Sequence, residues 1–327
     1  MRHVISVVVG ALLVACGGHY GARPSAPQAS SGPRGVEAAG LPYRIVDART
    51  GHDLPEADFW TALGGARAIC VGELHDNPHH HWAQLRVVDE LTRRRGAALG
   101  LGLEMVQRPF QGVLDDWAAH RIDERALLSR TGWADRWGYD FALYRPMLER
   151  TVERGGHVVA LNAAEEVAKK LSHHGLEALT PAEKAALPEM VLDDATHRAW
   201  FDDQMEAMGG ADAHTHRDGR GGDDEGERPA GADPARADRI YSVQVLWDET
   251  MADSAARWLG GGADRTMVIL AGGGHCHDSA IVGRLKRRGI APVVSVQPII
   301  DTDDGPVAAA LASPINDYLF VMSMPTR

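Results

Sequence analysis

The sequence predicts an α/β domain: a mainly parallel sheet flanked by helices, with a helical, aromatic-rich subdomain beside it. Three observations support this fold class. Short β-branched runs alternate with helical patterns, polar or glycine-rich turns follow the runs, and residues 110–150 are rich in Trp and Tyr. Such alternation is typical of parallel sheets, because two parallel strands must be joined by a crossover connection.

Five runs are predicted as strands, at 67–71, 97–103, 157–161, 267–271 and 292–296. Ligands of open parallel sheets bind beyond the carboxyl ends of the strands. The polar residues that follow the first four strands should therefore meet at one edge of the sheet, which we call the rim: Glu73, His75, Glu104, Asn162 and His275. Gln297 follows the fifth strand, and capping of a strand end would explain it and Asn162 equally well.

A helix is predicted directly after the first strand. Asn77 is a favourable N-cap, Pro78 suits the first helical position, and Gly96 marks the end. The first turn of this helix carries His79, His80 and His81. Neutral imidazole is favoured at the positive end of a helix dipole, although solvent exposure or packing explains at least two of these residues equally well.

The N-terminal sequence predicts export to the cell envelope. A run of apolar and small residues at 4–15 follows Arg2 and ends at Cys16, and the sequence Leu-Val-Ala-Cys resembles the bacterial lipobox. We expect residues 1–16 to be a lipoprotein signal peptide, with Cys16 as the lipidated residue. An ordinary cleaved signal with an incidental cysteine is the alternative. Residues 17–40 have a composition typical of a flexible tether.

The expected location is the bacterial cell envelope, with the lipid anchor as the membrane partner. No Asp follows Cys16, which favours the outer membrane. The formal net charge of −11 argues against nucleic acid as a partner. Two other cysteines, Cys70 and Cys276, could form one disulfide bridge or remain free thiols.

The remaining chain divides into a domain at 41–305 and a C-terminal extension at 306–327. Residues 209–238 contain no Val, Ile, Leu, Met or aromatic residue and are rich in Gly and acidic residues. Such a segment cannot contribute to a core, so it is predicted to be a disordered acidic insertion in the domain.

Several ordered motifs resemble the ChaN-like haem-binding lipoproteins. The first is the run Gly-Glu-Leu-His-Asp-Asn-Pro at 72–78, together with His80, His81 and Gln84. Further matches lie at 102–105, 133–146 and 161–163, and two more at 244–252 and 272–275. The resemblance covers roughly residues 55–298 apart from the insertion.

The resemblance implies a haem-binding α/β domain with a role in haem or iron uptake, and a possible homodimer. Haem iron needs an axial ligand, which Tyr or His can supply. Tyr139 and Tyr144 lie inside the matched motifs, and His80 and Met251 are further candidates for cofactor contact. A buried structural role is the competing interpretation of both tyrosines and of Met251.

The alternative function is a metal-dependent hydrolase. The broader superfamily includes Tiki-type peptidases and erythromycin esterase-like enzymes, which share Gly-Glu-x-His, middle Glu and late Gly-x-x-His elements. His75 and His275 could hold a divalent metal ion together with Glu73 or Glu104, and the remaining carboxylate would act as general base.

Overall fold

The structure is a computed structural model that describes residues 40–215 and 234–324. The predicted signal peptide, Cys16 and almost all of the tether lie outside the described residues. Within those two ranges the strands are β1 (Tyr43–Asp47), β2 (Asp53–Leu54), β3 (Ala68–Val71), β4 (Leu99–Gln107), β5 (His157–Asn162), β6 (Thr266–Leu270), β7 (Val293–Asp301) and β8 (Tyr318–Ser323).

The helices of the described residues lie mostly between these strands. They are α1 (Glu56–Gly65), α2 (Pro78–Arg95), α3 (Gln111–Ala118), α4 (Glu124–Thr131), α5 (Trp133–Arg136), α6 (Arg145–Glu153), α7 (Glu165–His174), α8 (Pro181–Ala186), α9 (Ala195–Thr215), α10 (Pro234–Gly260), α11 (Ile281–Arg287) and α12 (Pro306–Ala312). None of the described helices is both long enough and apolar enough to span a bilayer.

One sheet of eight strands organises the domain, in the order β2-β1-β8-β7-β3-β6-β4-β5. The strands from β8 to β5 run parallel, whereas β1 is antiparallel to both β8 and β2. The predicted α/β fold is confirmed, and all five predicted strands are present. The predicted aromatic subdomain corresponds to α3–α6, where Trp133, Phe141 and Tyr144 are buried against the main core.

The two faces of the sheet bury separate apolar clusters. Alternate side chains of β3 show this, because Ile69 and Val71 belong to the cluster that includes α2. Cys70 faces the other way, into the cluster with Met251 and Ile281 from α10 and α11. Successive side chains of a strand point to opposite faces, so a strand covered on both faces is apolar throughout.

The helix predicted after β3 begins and ends as the sequence indicated. The side chain of Asn77 accepts hydrogen bonds from the backbone N–H groups of His79 and His80, at 2.9 and 3.3 Å. Pro78 is the first helical residue, and Gly96 ends the helix with φ +53°. This helix therefore fixes the direction in which the chain leaves the rim.

Two predicted boundaries differ from the structure. The extension 306–327 contains β8, which pairs with β1 and β7 and contributes Phe320 to the main core, so it belongs to the domain. The ends of the predicted insertion 209–238 are helical, since α9 continues to Thr215 and α10 begins at Pro234. Its middle part, 216–233, lies outside the described residues.

Candidate functional site

The turn after β3 places Glu73 and His75 together at the rim. The Glu73 side chain is completely buried, and its Oε1 atom lies 2.8 Å from His75 Nδ1. The hydroxyl of Tyr144 donates to the same oxygen at 2.7 Å, and Gln84 Nε2 donates to Oε2 at 2.7 Å. Both oxygens of this buried carboxylate therefore have hydrogen-bond donors, as buried charges require.

Electrostatics keep Glu73 ionised. Burial alone would raise its pKa, but the neighbouring His81 and His75 and the hydroxyl of Tyr144 outweigh burial and lower the pKa to about 2. Burial would lower the pKa of His75, yet the hydrogen bond to Glu73 and the charge of Glu104 raise it. The two side chains thus form a carboxylate–imidazole pair that favours the charged form of each.

The two histidines that follow in α2 support the turn. The ring nitrogens of His81 lie 2.9 Å from Gln84 Oε1 and 3.0 Å from the carbonyl oxygen of His75. His80 Nδ1 accepts the backbone N–H of Leu74 at 3.0 Å. Burial and the neighbouring His81 lower the pKa of His80 to about 4, so its imidazole is neutral at pH 7. The sequence predicts His80 as a cofactor contact, but in the structure its ring accepts a hydrogen bond from the backbone of the turn.

A second carboxylate–imidazole pair, formed by Asp248 and His275, lies beside the first, and Glu104 contacts its imidazole. Glu104 Oε2 accepts the backbone N–H of Gly272 at 2.6 Å, and Glu104 Oε1 lies 3.4 Å from His275 Nε2. His275 Nδ1 lies 2.7 Å from Asp248 Oδ1. Burial opposes protonation of His275, but Glu104 and Asp248 outweigh it and raise its pKa.

The two pairs touch at Gly272. A Cβ atom at this position would lie 2.9 Å from His75 Cε1, closer than real Cβ contacts come. Glycine at this position therefore lets His75 approach the loop that carries His275. The prediction that Glu73, His75, Glu104 and His275 converge is borne out by these distances, although they are 202 positions apart at most.

A disulfide bridge ties these two parts of the rim together. Cys70 lies in β3, three residues before Glu73, and Cys276 directly follows His275. Their Cα atoms are 5.3 Å apart, and both side chains are fully buried. Of the two possibilities that the sequence left open, the structure shows the bridge.

Aromatic side chains form one wall beside the first pair. The rings of Trp137 and Tyr139 lie 4.7 and 5.0 Å from the ring of His75, measured between centroids. Tyr139 is half-buried, and its hydroxyl forms no hydrogen bond with any residue that the structure describes. Burial, with the charges of Asp76 and Glu104, raises its pKa.

Tyr144 differs sharply from Tyr139, although both were candidate ligands. Its side chain is fully buried, and its hydroxyl donates to Glu73. Burial and the Glu73 carboxylate raise its pKa well above the ordinary value. This position favours a structural role for Tyr144 and leaves Tyr139 as the accessible phenol.

Three other sequence candidates, all among the described residues, form no hydrogen bond with Glu73, His75, Glu104 or His275. Met251 is fully buried in the core between the sheet and α10. Asn162 accepts the N–H of the next residue, and Gln297 donates to the carbonyl of Pro298. Within 40–215 and 234–324, no group of three or more His, Cys, Asp or Glu side chains is arranged to hold a metal ion.

Sequence reasoning missed two residues that complete the site. Gln84 and Asp248 both lie within or beside matched motifs, but neither follows a strand, so the rim argument did not select them. Gln84 is three residues after His81 on the same helical face, which could have indicated a contact. Asp248 contacts His275 across 27 positions, and no local pattern predicts such a contact.

Comparisons with known proteins bear on the family and the fold. A family model described as haem-binding uptake, Tiki superfamily, ChaN matches residues 59–285. Among solved structures, ChaN of Campylobacter jejuni, described with cofacial haem binding, has a TM-score of 0.62 at 15% identity, covering 86% of this chain and 96% of that one. At this identity the likeness shows the fold.

Two further solved structures are more distant. An erythromycin esterase, EreC, in its open conformation has a TM-score of 0.43 at 12% identity, covering 88% of this chain and 85% of that one. The type III effector HopBA1 has a TM-score of 0.41 at 9% identity, covering 88% and 98%. No curated protein matches the sequence. Because the family model spans more than two thirds of the chain, this protein belongs to the ChaN family of haem-binding uptake proteins, in the Tiki superfamily.

Proposed function

We propose that this protein binds haem at the rim, beside Tyr139, and that it takes part in haem or iron handling as a lipid-anchored envelope protein. The observation that carries the proposal is the Tyr139 hydroxyl. It is half-buried next to His75 and Trp137 and has no hydrogen-bond partner among the described residues. Family membership supplies the ligand class.

The residues at this position fit a haem group. Tyrosine oxygen is one of the axial ligands that proteins offer to haem iron, and the bound iron would supply the coordination chemistry. The indole of Trp137 provides a flat apolar surface next to Tyr139, with 5.5 Å between ring centroids. Apolar walls with a few placed polar groups are typical of cofactor sites.

Arginines that could pair with haem propionates are already engaged. Arg136 contacts Gln107, Glu165 and Glu166, and Arg145 contacts Glu124. Both guanidinium groups remain partly exposed. Each guanidinium would have to bind a propionate in addition to its present carboxylate partner. The structure therefore favours aromatic contact and the phenol oxygen as the main source of affinity.

The test is a haemin titration followed by absorption spectroscopy on the full chain in detergent. We expect a saturable Soret shift that is lost in Tyr139→Phe and retained in Tyr144→Phe, the matched control. Failure of the wild-type chain to shift the Soret band would overturn the haem proposal. Loss in Tyr144→Phe alone would move the ligand to that residue. Sedimentation of the haem-loaded chain would test the homodimer that the family resemblance implies.

The anchor is tested separately from haem binding. We infer that Cys16 carries lipid, because it closes an apolar signal-like run with the sequence Leu-Val-Ala-Cys. Two or more acyl chains give stable membrane attachment. Cys16→Ala should move the protein from the membrane fraction to the soluble fraction. If the variant stays in the membrane fraction, the lipoprotein proposal is wrong, and density separation of the wild type would test the outer-membrane assignment.

The hydrolase alternative has weaker support in the structure. The four residues proposed for it do meet, but Glu73 is fully enclosed by its hydrogen-bond donors. Metal content measured on the titration sample separates the two functions. A stoichiometric divalent metal that disappears in His75→Ala or His275→Ala, without any Soret shift, would favour the hydrolase.

A further inference from the structure

We propose that Asp248 is a positioning residue that holds the imidazole of His275 with a proton on Nδ1 and with Nε2 facing Glu104. The rim pattern does not select Asp248. The proposal concerns a side chain of α10 behind the rim, and it does not depend on haem binding.

The contact between Asp248 and His275 fixes the proton on the ring. The Asp248 side chain is completely buried, and its Oδ1 lies 2.7 Å from His275 Nδ1. A carboxylate only accepts hydrogen bonds, so the proton of this bond belongs to Nδ1. The His275 ring is itself 3% exposed, so water does not offer Nδ1 a competing acceptor.

Gln244 offers the competing interpretation. Its Nε2 lies 3.1 Å from the same His275 Nδ1, and an amide N–H donating to it would require Nδ1 to be unprotonated. The Asp248 contact is shorter by 0.4 Å and involves a charge, and charge-assisted hydrogen bonds are the stronger kind. Gln244 Nε2 then donates to the carbonyl oxygen of Gly274, which lies 3.5 Å away.

Side chains from two further helices lie beside the Asp248 carboxylate. His197 Nε2, from α9, lies 3.1 Å from Asp248 Oδ2, and Arg284 Nη1, from α11, lies 3.8 Å from it. Both side chains are buried, at 0% and 2% exposure. The second oxygen of this carboxylate, which belongs to α10, therefore faces an imidazole from α9 and a guanidinium from α11.

Glu104 connects His275 to the rest of the rim. With Nδ1 bound to Asp248, Nε2 is the nitrogen that lies 3.4 Å from Glu104 Oε1. The other oxygen of Glu104 is held by the N–H of Gly272 at 2.6 Å. Asp248 thus sets the position of the His275 imidazole. The Glu104 carboxylate lies between this imidazole and the His75 side of the rim. Groups that orient a ring through its second nitrogen are common at functional sites.

The test reads the ring nitrogens directly by long-range ¹H–¹⁵N NMR on the full chain in detergent. His275→Gln identifies the signals of His275 by their absence. We expect the wild-type Nδ1 to show the chemical shift of a protonated nitrogen. An unprotonated Nδ1 in the wild type would overturn the proposal in favour of donation from Gln244. This measurement is made on the wild-type protein, so it does not depend on a variant that could be destabilised.

Matched variants separate positioning from general support. Asp248→Ala should change the ¹⁵N shifts of His275, because Nδ1 loses its acceptor. Asp253→Ala is the control, since Asp253 is another carboxylate of α10 that pairs with Arg108 and Arg257 and, among the described residues, forms no hydrogen bond or ion pair with Asp248 or His275. Unchanged His275 shifts in Asp248→Ala, or equal changes in both variants, would refute the positioning role.

Discussion

The rim consists of two halves that contain the same chemistry but are built in different ways. In the first half, Glu73 pairs with His75 two positions away, within a single turn. In the second half, His275 pairs with Asp248 across 27 positions, and residues of α9 and α11 lie beside the carboxylate. The first pair is therefore set by local backbone geometry, whereas the second depends on packing of helices against the sheet.

Each half also contains a histidine that the fold keeps neutral. Burial lowers the pKa of His80 to about 4 in the first half and that of His277 to about 3 in the second. The paired His75 and His275 show the opposite shift, since adjacent carboxylates raise their pKa values. For His75 and His275, the adjacent carboxylates outweigh burial, whereas burial dominates for His80 and His277.

Breaking the covalent link between the halves should have the largest effect. The disulfide joins residues 206 positions apart, and loss of such a long closed loop costs about 5 kcal/mol on chain-entropy grounds. We expect the double variant Cys70→Ala, Cys276→Ala to melt about 10–20 °C below the oxidised wild type, followed by circular dichroism. The reduced wild type is the control. A variant that melts with the oxidised protein would show that strand pairing alone holds the halves together.

The neutral His277 should make the protein sensitive to acid. The unfolded chain protonates this imidazole near its ordinary pKa of 6.5, but the folded chain only near 3. The unfolded state therefore binds an extra proton between these values, and the stability linked to His277 is present above pH 6.5 and falls as the pH decreases to about 3, by about 4 kcal/mol.

His277→Phe tests this, because an aromatic ring can keep the contact with Trp200, whose centroid lies 4.2 Å away. We expect urea unfolding to show a flatter loss of stability between pH 6.5 and 4 in this variant. His174→Gln, at the exposed end of α7, should leave the pH profile of the wild type unchanged. The contribution of His275 has the opposite sign: it is present below pH 6.5 and is lost as the pH rises through its raised pKa.

Neutralising the paired carboxylates compares the two halves directly. Removing one partner of a buried charge pair typically costs about 3 kcal/mol or more. We expect Glu73→Gln and Asp248→Asn each to lower the free energy of urea unfolding by about that amount at pH 7. If only Glu73→Gln is costly, the long-range half is not held as tightly as its distances indicate.

The first half could be predicted from the sequence, because its determinants are local. The apolar run of β3, the N-cap Asn77 and Pro78 predict a strand, a turn and a helix, and Glu73 and His75 follow that strand at the rim. Convergence with Glu104 and His275 followed from the rule that parallel strands end at one edge. The boundaries of α2 were confirmed for the same reason.

The rest could not be predicted, because it depends on contacts between distant segments. Asp248 lies in the middle of a helix, where periodicity predicts only a buried face. Strand β8 is six residues long and follows a short helix, so nothing local indicated that it inserts between β1 and β7. The pairing of Cys70 with Cys276 was open for the same reason, since spacing alone does not fix a bridge.

The smallest expected effect distinguishes the two tyrosines of the first half. Tyr144→Phe removes one donor to the buried Glu73 and should lower the free energy of unfolding by about 1.5–3 kcal/mol, because hydrogen bonds to charged groups are worth that much. Tyr139→Phe removes a hydroxyl without a partner among the described residues and should leave urea unfolding unchanged. Equal losses in both variants would show that the Tyr139 hydroxyl is engaged in the folded protein, and its availability to a haem iron would then be in doubt.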